Sequence, residues 1–198
     1  MMFTGSRCKK ILFSFVLIVV VFLPSVSFAY SYAAAGKEPL IDGREVILQA
    51  LQANDYSAVE NAVLGLKEEF DYLLSDHNVD LLTPIKAAIE NEDGVKIEAV
   101  IDHAVVEEIV RRLEGAQNNL ADYQVAKVLV VKSKLFLDLI MPKLTSTQRD
   151  QANLAIQGIL ESIGNPGVFG VGQAPANQEQ FKTEQAKLLS AIQGVRQH

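Results

Sequence analysis

The amino-acid sequence predicts an all-α protein, an antiparallel bundle of six or seven helices. Apolar residues recur at intervals of three and four from about residue 40 to the end, which is the period of helices with one buried face. Alternation of apolar and polar residues, the pattern of a half-buried strand, is almost absent. Capping residues, glycines and prolines separate the apolar stretches, as expected where helices begin and end.

The N-terminus has the layout of a secretory signal peptide. Three basic residues among the first ten precede an apolar run over residues 11–23, and small residues permit cleavage after Ala29. The run is shorter than the roughly 20 residues that a membrane-spanning helix needs. We therefore expect a periplasmic or secreted protein, with an uncleaved membrane anchor as the alternative.

Cleavage would divide the chain into a signal peptide (1–29), a flexible lead-in (30–39) and a single helical-bundle domain (40–198). It would remove Cys8, the one cysteine, so the mature chain would have no disulfide, thiol nucleophile or Cys-ligated metal. Three of the 18 basic residues and none of the 24 acidic residues would leave, so the net charge would become −9. This charge argues against nucleic acid and anionic membranes as partners and permits cationic partners or metal ions.

The first predicted helix covers residues 40–53. Ser57 followed by Glu60 has the spacing of a capping box, which predicts a second helix from about residue 57 to residue 74 with Ser57 as its N-cap. Its apolar residues lie three and four apart, so one face is expected in the core. They are Val59, Ala62, Val63, Leu66, Phe70, Leu73 and Leu74.

Thr83 as N-cap and Pro84 at the first helical position predict the start of a third helix. A fourth helix is predicted over about residues 95–113. The fifth, over about residues 120–141, is so apolar that we expect it to be the central helix, and Pro142 ends it.

A sixth helix is predicted over residues 146–163 and the last over residues 178–195. Between them, residues 164–176 are rich in glycine and proline. Gly164 has the position of a glycine that ends a helix, and Pro166 follows at the usual distance. The glycines do not fit a phosphate-binding loop, because a helix rather than a strand precedes them and no basic residue accompanies them.

Val168, Phe169 and Val171 make the middle of this segment too apolar for a free linker. We expect these residues to plug the end of the bundle. The alternative is an exposed recognition loop that docks a partner.

A weak internal repeat suggests that two αα-hairpins stack on each other, with three further helices beside them. Three positions recur 38 residues later: Leu51 as Ile89, Asp55 as Asp93, and Val59 as Ile97. Because any two amphipathic hairpins resemble each other, a coincidental match stays open as the alternative.

The candidate metal ligands are His103 and Glu107. Their i,i+4 spacing places both side chains on one side of a helix. They would hold a transition metal ion if another helix supplied carboxylates, for which Glu68, Glu69 and Asp71 are the candidates. The alternative is a His–Glu contact on a solvated face.

No catalytic motif is present, so we expect a protein that is not an enzyme. Glu-x-x-His pairs and a nucleophile elbow are missing, and no Ser-x-x-Lys motif occurs in the predicted mature chain. The spacing of four charged residues on the fourth helix predicts a surface ion-pair network. These residues are Glu107, Glu108, Arg111 and Arg112.

The signal peptide, the paired helices and two sequences resemble the extracytoplasmic helical segment of some proteins of the bacterial oxidase-dependent iron permease family. The sequences are NNLADYQVAKVLVVKSKLFLDLIMPKL and GNPGVFGVG. The resemblance implies an accessory role in iron uptake, with a membrane permease or another periplasmic protein as partner. The family's Arg-Glu-x-x-Glu motif is missing, since the sequence from Arg44 to Leu48 lacks the second Glu, so transport itself is not implied. The alternative function is an interaction module that docks a partner through a groove or through residues 164–176.

Overall fold

The computed structural model describes residues 38–167 and 171–196. In these two ranges the chain forms eight α-helices, a 3-10 helix and no β-strand, apart from an isolated bridge. The helices are α1 (Pro39–Gln52), α2 (Tyr56–Gly65), α3 (Lys67–His77), α4 (Leu82–Glu90), α5 (Gly94–Asn118), α6 (Tyr123–Ile140), the 3-10 helix (Met141–Lys143), α7 (Ser146–Ser162) and α8 (Gln178–Arg196). The all-α prediction is confirmed. The predicted signal peptide lies outside the described residues.

Helices α1 and α2 form one αα-hairpin, α4 and α5 form another, and the two are in contact. Their turns have the same geometry, as the repeat predicts. Asn54 and Glu92 both have a φ of 54°. Asp55 and Asp93 each cap the following helix by accepting a hydrogen bond from the N–H three residues later, at 2.9 and 3.0 Å. The Tyr56 hydroxyl donates to the Glu92 carbonyl at 2.7 Å and joins the two turns.

Helix α5 is the centre of the described bundle, because its 25 residues contact α1, α3, α4, α6 and α8. The prediction of a central position for the fifth helix, α6, is wrong. Helix α6 buries one face and leaves Val131 and Leu135 exposed. The many charged residues of α5 suggest a solvent-exposed helix, but four of them are buried in the structure. They are Asp102, Glu107, Glu108 and Arg112.

The second predicted helix is two helices, because the helical pattern is interrupted at Leu66. Gly65 ends α2, Leu66 has φ −97° and ψ 8°, and α3 begins at Lys67. The buried Leu66 side chain lies against Gly43 of α1, where a Cβ atom would be only 2.7 Å away. This break explains why the described residues hold eight helices rather than six or seven.

Aspartates, not the predicted Ser57 and Thr83, accept the side-chain hydrogen bonds at the starts of α2 and α4. Asp55 caps α2, so Ser57 lies within the helix. Asp80 Oδ1 accepts a hydrogen bond from Thr83 N at 3.0 Å, and hydrogen bonds from the Thr83 side chain and backbone lower the pKa of the Asp80 carboxyl. A carboxylate is favoured here because it forms charge-assisted bonds at the positive end of the helix. Pro84 is then the third helical residue, where its missing N–H still costs nothing.

Apolar side chains from all eight α-helices form one hydrophobic core. Its largest fully buried members are Phe70, Phe136 and Phe181. None of the helices in the described ranges combines the length and apolar character needed to cross a membrane.

Candidate functional site

A groove of about 350 Å³ lies between the start of α5, the 3-10 helix and the end of α8. We call it the α5 groove. The residues that decide its chemistry are Val95, Glu98, Asp102, Lys143, Leu144 and Val195. Three separate parts of the chain therefore build one concave surface.

The floor of the α5 groove is an ion-pair network around the buried Asp102. Arg44 of α1 donates to Asp102 Oδ1 from Nε at 3.1 Å and from Nη2 at 2.9 Å. The Lys143 ammonium contacts Asp102 Oδ2 and lies 2.5 Å from Glu98 Oε1. Two cations thus reach the buried carboxylate, which offsets the cost of taking its charge out of water.

Lys143 keeps its proton in this network. Burial alone would lower the pKa of its ammonium group, but hydrogen bonds to Asp102 and Glu98 and the charges of these carboxylates more than offset that effect, so the pKa is raised. A lysine serves as a base or nucleophile when its pKa is lowered towards neutrality. The groove therefore offers a fixed cation beside a carboxylate, which suits binding rather than amine chemistry.

Val95 forms an apolar rim beside this charged floor. It is the second residue of α5 and is 82% exposed. Leu144 and Val195 continue the apolar surface into the groove. Apolar anchoring surface next to a few placed polar groups is the usual composition of a binding site.

Sequence reasoning missed Arg44, Glu98 and Lys143 as members of a site. Arg44 and Asp102 are 58 residues apart, and Lys143 and Glu98 are 45 apart. No local spacing connects them. The sequence contains one weak indication of the site. Lys143 directly follows Pro142, the residue predicted to end a helix, so this lysine lies where two helices join.

A second network ties the start of α1 to α5 and α6. Arg112 contacts the carboxylates of both Glu38 and Glu108, and its guanidinium lies 4.1 Å from the centroid of the Phe136 ring. Lys132 Nζ lies 2.7 Å from Glu38 Oε1. The prediction of a surface network is wrong for Glu107, Glu108 and Arg112, because all three are buried.

His103 and Glu107 lie on the same side of α5, as their spacing predicts, with His103 Nε2 3.1 Å from Glu107 Oε1. Glu107 is 1% exposed, so the pair is not on a fully solvated face. Within residues 38–167 and 171–196, no group of three or more His, Cys, Asp or Glu side chains is placed to hold a metal ion. Glu68, Glu69 and Asp71 therefore do not complete a metal site with the pair. His103 and Glu107 remain two predicted ligands.

The described parts of the loop between α7 and α8, residues 163–167 and 171–177, are joined at a neck. Asn165 and Ala174 exchange two backbone hydrogen bonds of 2.8 Å that form this neck. Gly164 follows the end of α7 as predicted, with a φ of 83°, and a Cβ atom there would lie 2.6 Å from the Ala174 carbonyl oxygen. This position therefore requires glycine. Asn177 caps α8 by accepting a hydrogen bond from Gln180 N at 3.0 Å.

Val171 of this loop is 79% exposed, so the prediction that it plugs the end of the bundle is wrong. The hydrogen-bonded neck holds the loop without burial of this side chain. Val168 and Phe169, predicted to act with it, lie outside the described residues. The alternative of an exposed loop that docks a partner fits Val171.

A scan against protein-family models matched no family, and searches of curated proteins and of solved structures found no match. What the chain binds has to follow from the chemistry of its own groove and exposed surfaces.

Proposed function

We propose that this is a non-enzymatic binding protein that works outside the cytoplasm and docks a partner in the α5 groove. The observation that carries the proposal is the highly exposed Val95 beside the Glu98–Lys143 ion pair in one concave surface.

The network defines the chemistry of the partner. Asp102 has Arg44 as a second cation, so an incoming cation can take the place of Lys143 at Glu98 without leaving Asp102 unpaired. We therefore expect a protein segment that presents an aliphatic side chain to Val95 and a lysine or arginine to Glu98. The acidic balance of the chain, 24 acidic against 18 basic residues, favours a basic partner.

An accessory role in metal uptake beside a membrane permease remains part of this proposal. It is supported by the resemblance to the iron permease family and by the contact between His103 and Glu107. In this role the protein would bind a metal ion in addition to its protein partner, and the docking surface would be the same.

Val95→Glu tests the groove. The side chain is exposed and lies in the first turn of α5, where a carboxylate is favourable, so we expect the fold to be unchanged. The substitution removes the apolar anchor, and we expect capture of the partner to fall at least about tenfold, as for a central interface residue. Capture from periplasmic extract of the native cell, quantified by mass spectrometry, measures this change.

Val171→Glu is the matched control, because Val171 is an almost equally exposed valine at a different surface. Loss of the partner with Val95→Glu alone supports the α5 groove. Loss with Val171→Glu alone supports the second candidate, docking through residues 164–176. Unchanged capture with both variants contradicts both docking surfaces.

A further inference from the structure

Helix α6 carries an apolar stripe on the side that faces away from the core. The stripe consists of Val125, Val128, Val131 and Leu135, whose spacings of three and four place them on one side of the helix. Val131 and Leu135 are 46% and 48% exposed, Val125 is also exposed, and Val128 is half-buried. We call these four residues the α6 stripe.

The α6 stripe explains why the sequence of α6 is more apolar than its position requires. The core-facing side has its own apolar set: Ala126, Val130, Phe136, Leu137 and Ile140. Single exposed aliphatic residues are ordinary on a protein surface, but a row of them along one helix marks an interaction site. None of the four stripe residues lines the α5 groove, so the two surfaces are separate.

The charges along the border of the stripe indicate what packs there. Lys127, Lys134 and Asp138 are all exposed and follow one side of the stripe, and Lys134 Nζ lies 2.8 Å from Asp138 Oδ1. The border is therefore positive towards the start of α6 and negative near its end. An antiparallel copy of α6 places Lys127 near Asp138 of the other helix on the same side of the interface, whereas a parallel copy puts these two residues on opposite sides of it.

We infer that the α6 stripe is the face on which a second copy of this chain packs, with the two α6 helices antiparallel about a two-fold axis beside residues 132–133. This register puts Val131 of one copy next to Leu135 of the other and forms the Lys127–Asp138 pair twice, as an isologous interface requires. Helix α6 is about 27 Å long, so its interface is smaller than the roughly 800 Å² per partner of a standard complex. An interface at this small end of the range is typical of a weak, reversible complex.

Leu135→Glu tests the face. The protein is purified as the expressing cell has processed it. Its sedimentation velocity is then measured at a series of protein concentrations. We expect a monomer–dimer equilibrium for the parent chain and at least about a tenfold higher dissociation constant for Leu135→Glu. The control is Leu154→Glu on α7, which alters an even more exposed leucine away from the stripe and leaves the equilibrium unchanged.

A charge exchange identifies the partner as the same chain. Lys127→Glu alone and Asp138→Lys alone each place like charges together across the two-fold axis and weaken dimerisation severalfold. The double variant K127E/D138K restores opposite charges and recovers the dimer, which only a self-complementary antiparallel contact can do. A parent chain that stays monomeric at every concentration, or a dimer unaffected by Leu135→Glu, overturns the proposal, as does a double variant that is no better than the single variants.

Discussion

Asp102 lies buried on α5, where removal of all its partners would cost about 3–5 kcal/mol. Arg44 occupies one oxygen of its carboxylate through two hydrogen bonds. Lys143 contacts the other oxygen and also forms an ion pair with Glu98. Lys143 can therefore be removed while Asp102 keeps Arg44 as a cation.

We expect Lys143→Gln to lower the free energy of unfolding at pH 7 by about 1–2 kcal/mol, since a partly solvated ammonium is lost from a buried carboxylate that retains Arg44. Urea denaturation measures the change. The control is Lys67→Gln, which removes an exposed i,i+4 pair with Asp71 and should cost less than about 0.5 kcal/mol. Equal losses in both variants would show that the network around Asp102 stabilises no more than a surface ion pair.

The effect of Lys143→Gln has a defined pH dependence. The folded-state pKa of Lys143 is raised above the ordinary value of 10.5, so its contribution to stability is fully present below about pH 10.5 and is lost as the pH rises through the folded pKa. The difference between the parent chain and the variant should stay constant from about pH 7 to pH 10 and shrink above that range. A difference that already shrinks near pH 8 would contradict a raised pKa.

At the scale of elements, one glycine decides how closely α1 meets the chain between α2 and α3. Gly43 has no Cβ, and the buried Leu66 side chain occupies the space where one would be. The interruption at Leu66 directs this side chain onto α1, so the break and the glycine depend on each other. Periodicity cannot reveal this, because Leu66 fits the apolar stripe of one continuous helix equally well.

We expect Gly43→Ala to destabilise the protein by about 1–2 kcal/mol, because overpacking against Leu66 outweighs the better helix propensity of alanine. Thermal or urea unfolding measures this. Gly194→Ala in α8 is the matched control, since a Cβ there meets nothing within 4 Å; it should leave stability unchanged or raise it by up to about 1 kcal/mol. A gain in both variants would mean that Leu66 moves aside freely.

At the scale of the whole molecule, local signals in the sequence predict much of the fold and little of the site. The turns at Asp55 and Asp93 and the helix end at Gly164 depend on residues close in sequence, and the structure confirms them. The Arg44–Asp102 pair depends on how α1 packs on α5, which local spacing does not encode. Burial was predicted wrongly for α5 because charges can be buried when they are paired, and for α6 because apolar residues can remain exposed.

The whole-molecule prediction that is easiest to test is export. The basic first residues, the short apolar run over residues 11–23 and the small residues before Tyr30 predict cleavage after Ala29. Expressed in a bacterial host, the protein should be recovered from the periplasm or medium with an intact mass that begins at Tyr30. It should contain no titratable thiol, because Cys8 leaves with the signal peptide.

Ala29→Leu makes this test specific, because a signal peptidase needs a small residue immediately before the cut. We expect this variant to retain its N-terminus, its thiol and its attachment to the membrane fraction. Ala34→Leu, a matched change five residues further on, should be processed like the parent chain. If the parent chain itself keeps its full mass and one thiol and sediments with membranes, residues 11–23 act as an anchor. The α5 groove and the α6 stripe would then meet their partners at a membrane surface rather than in solution.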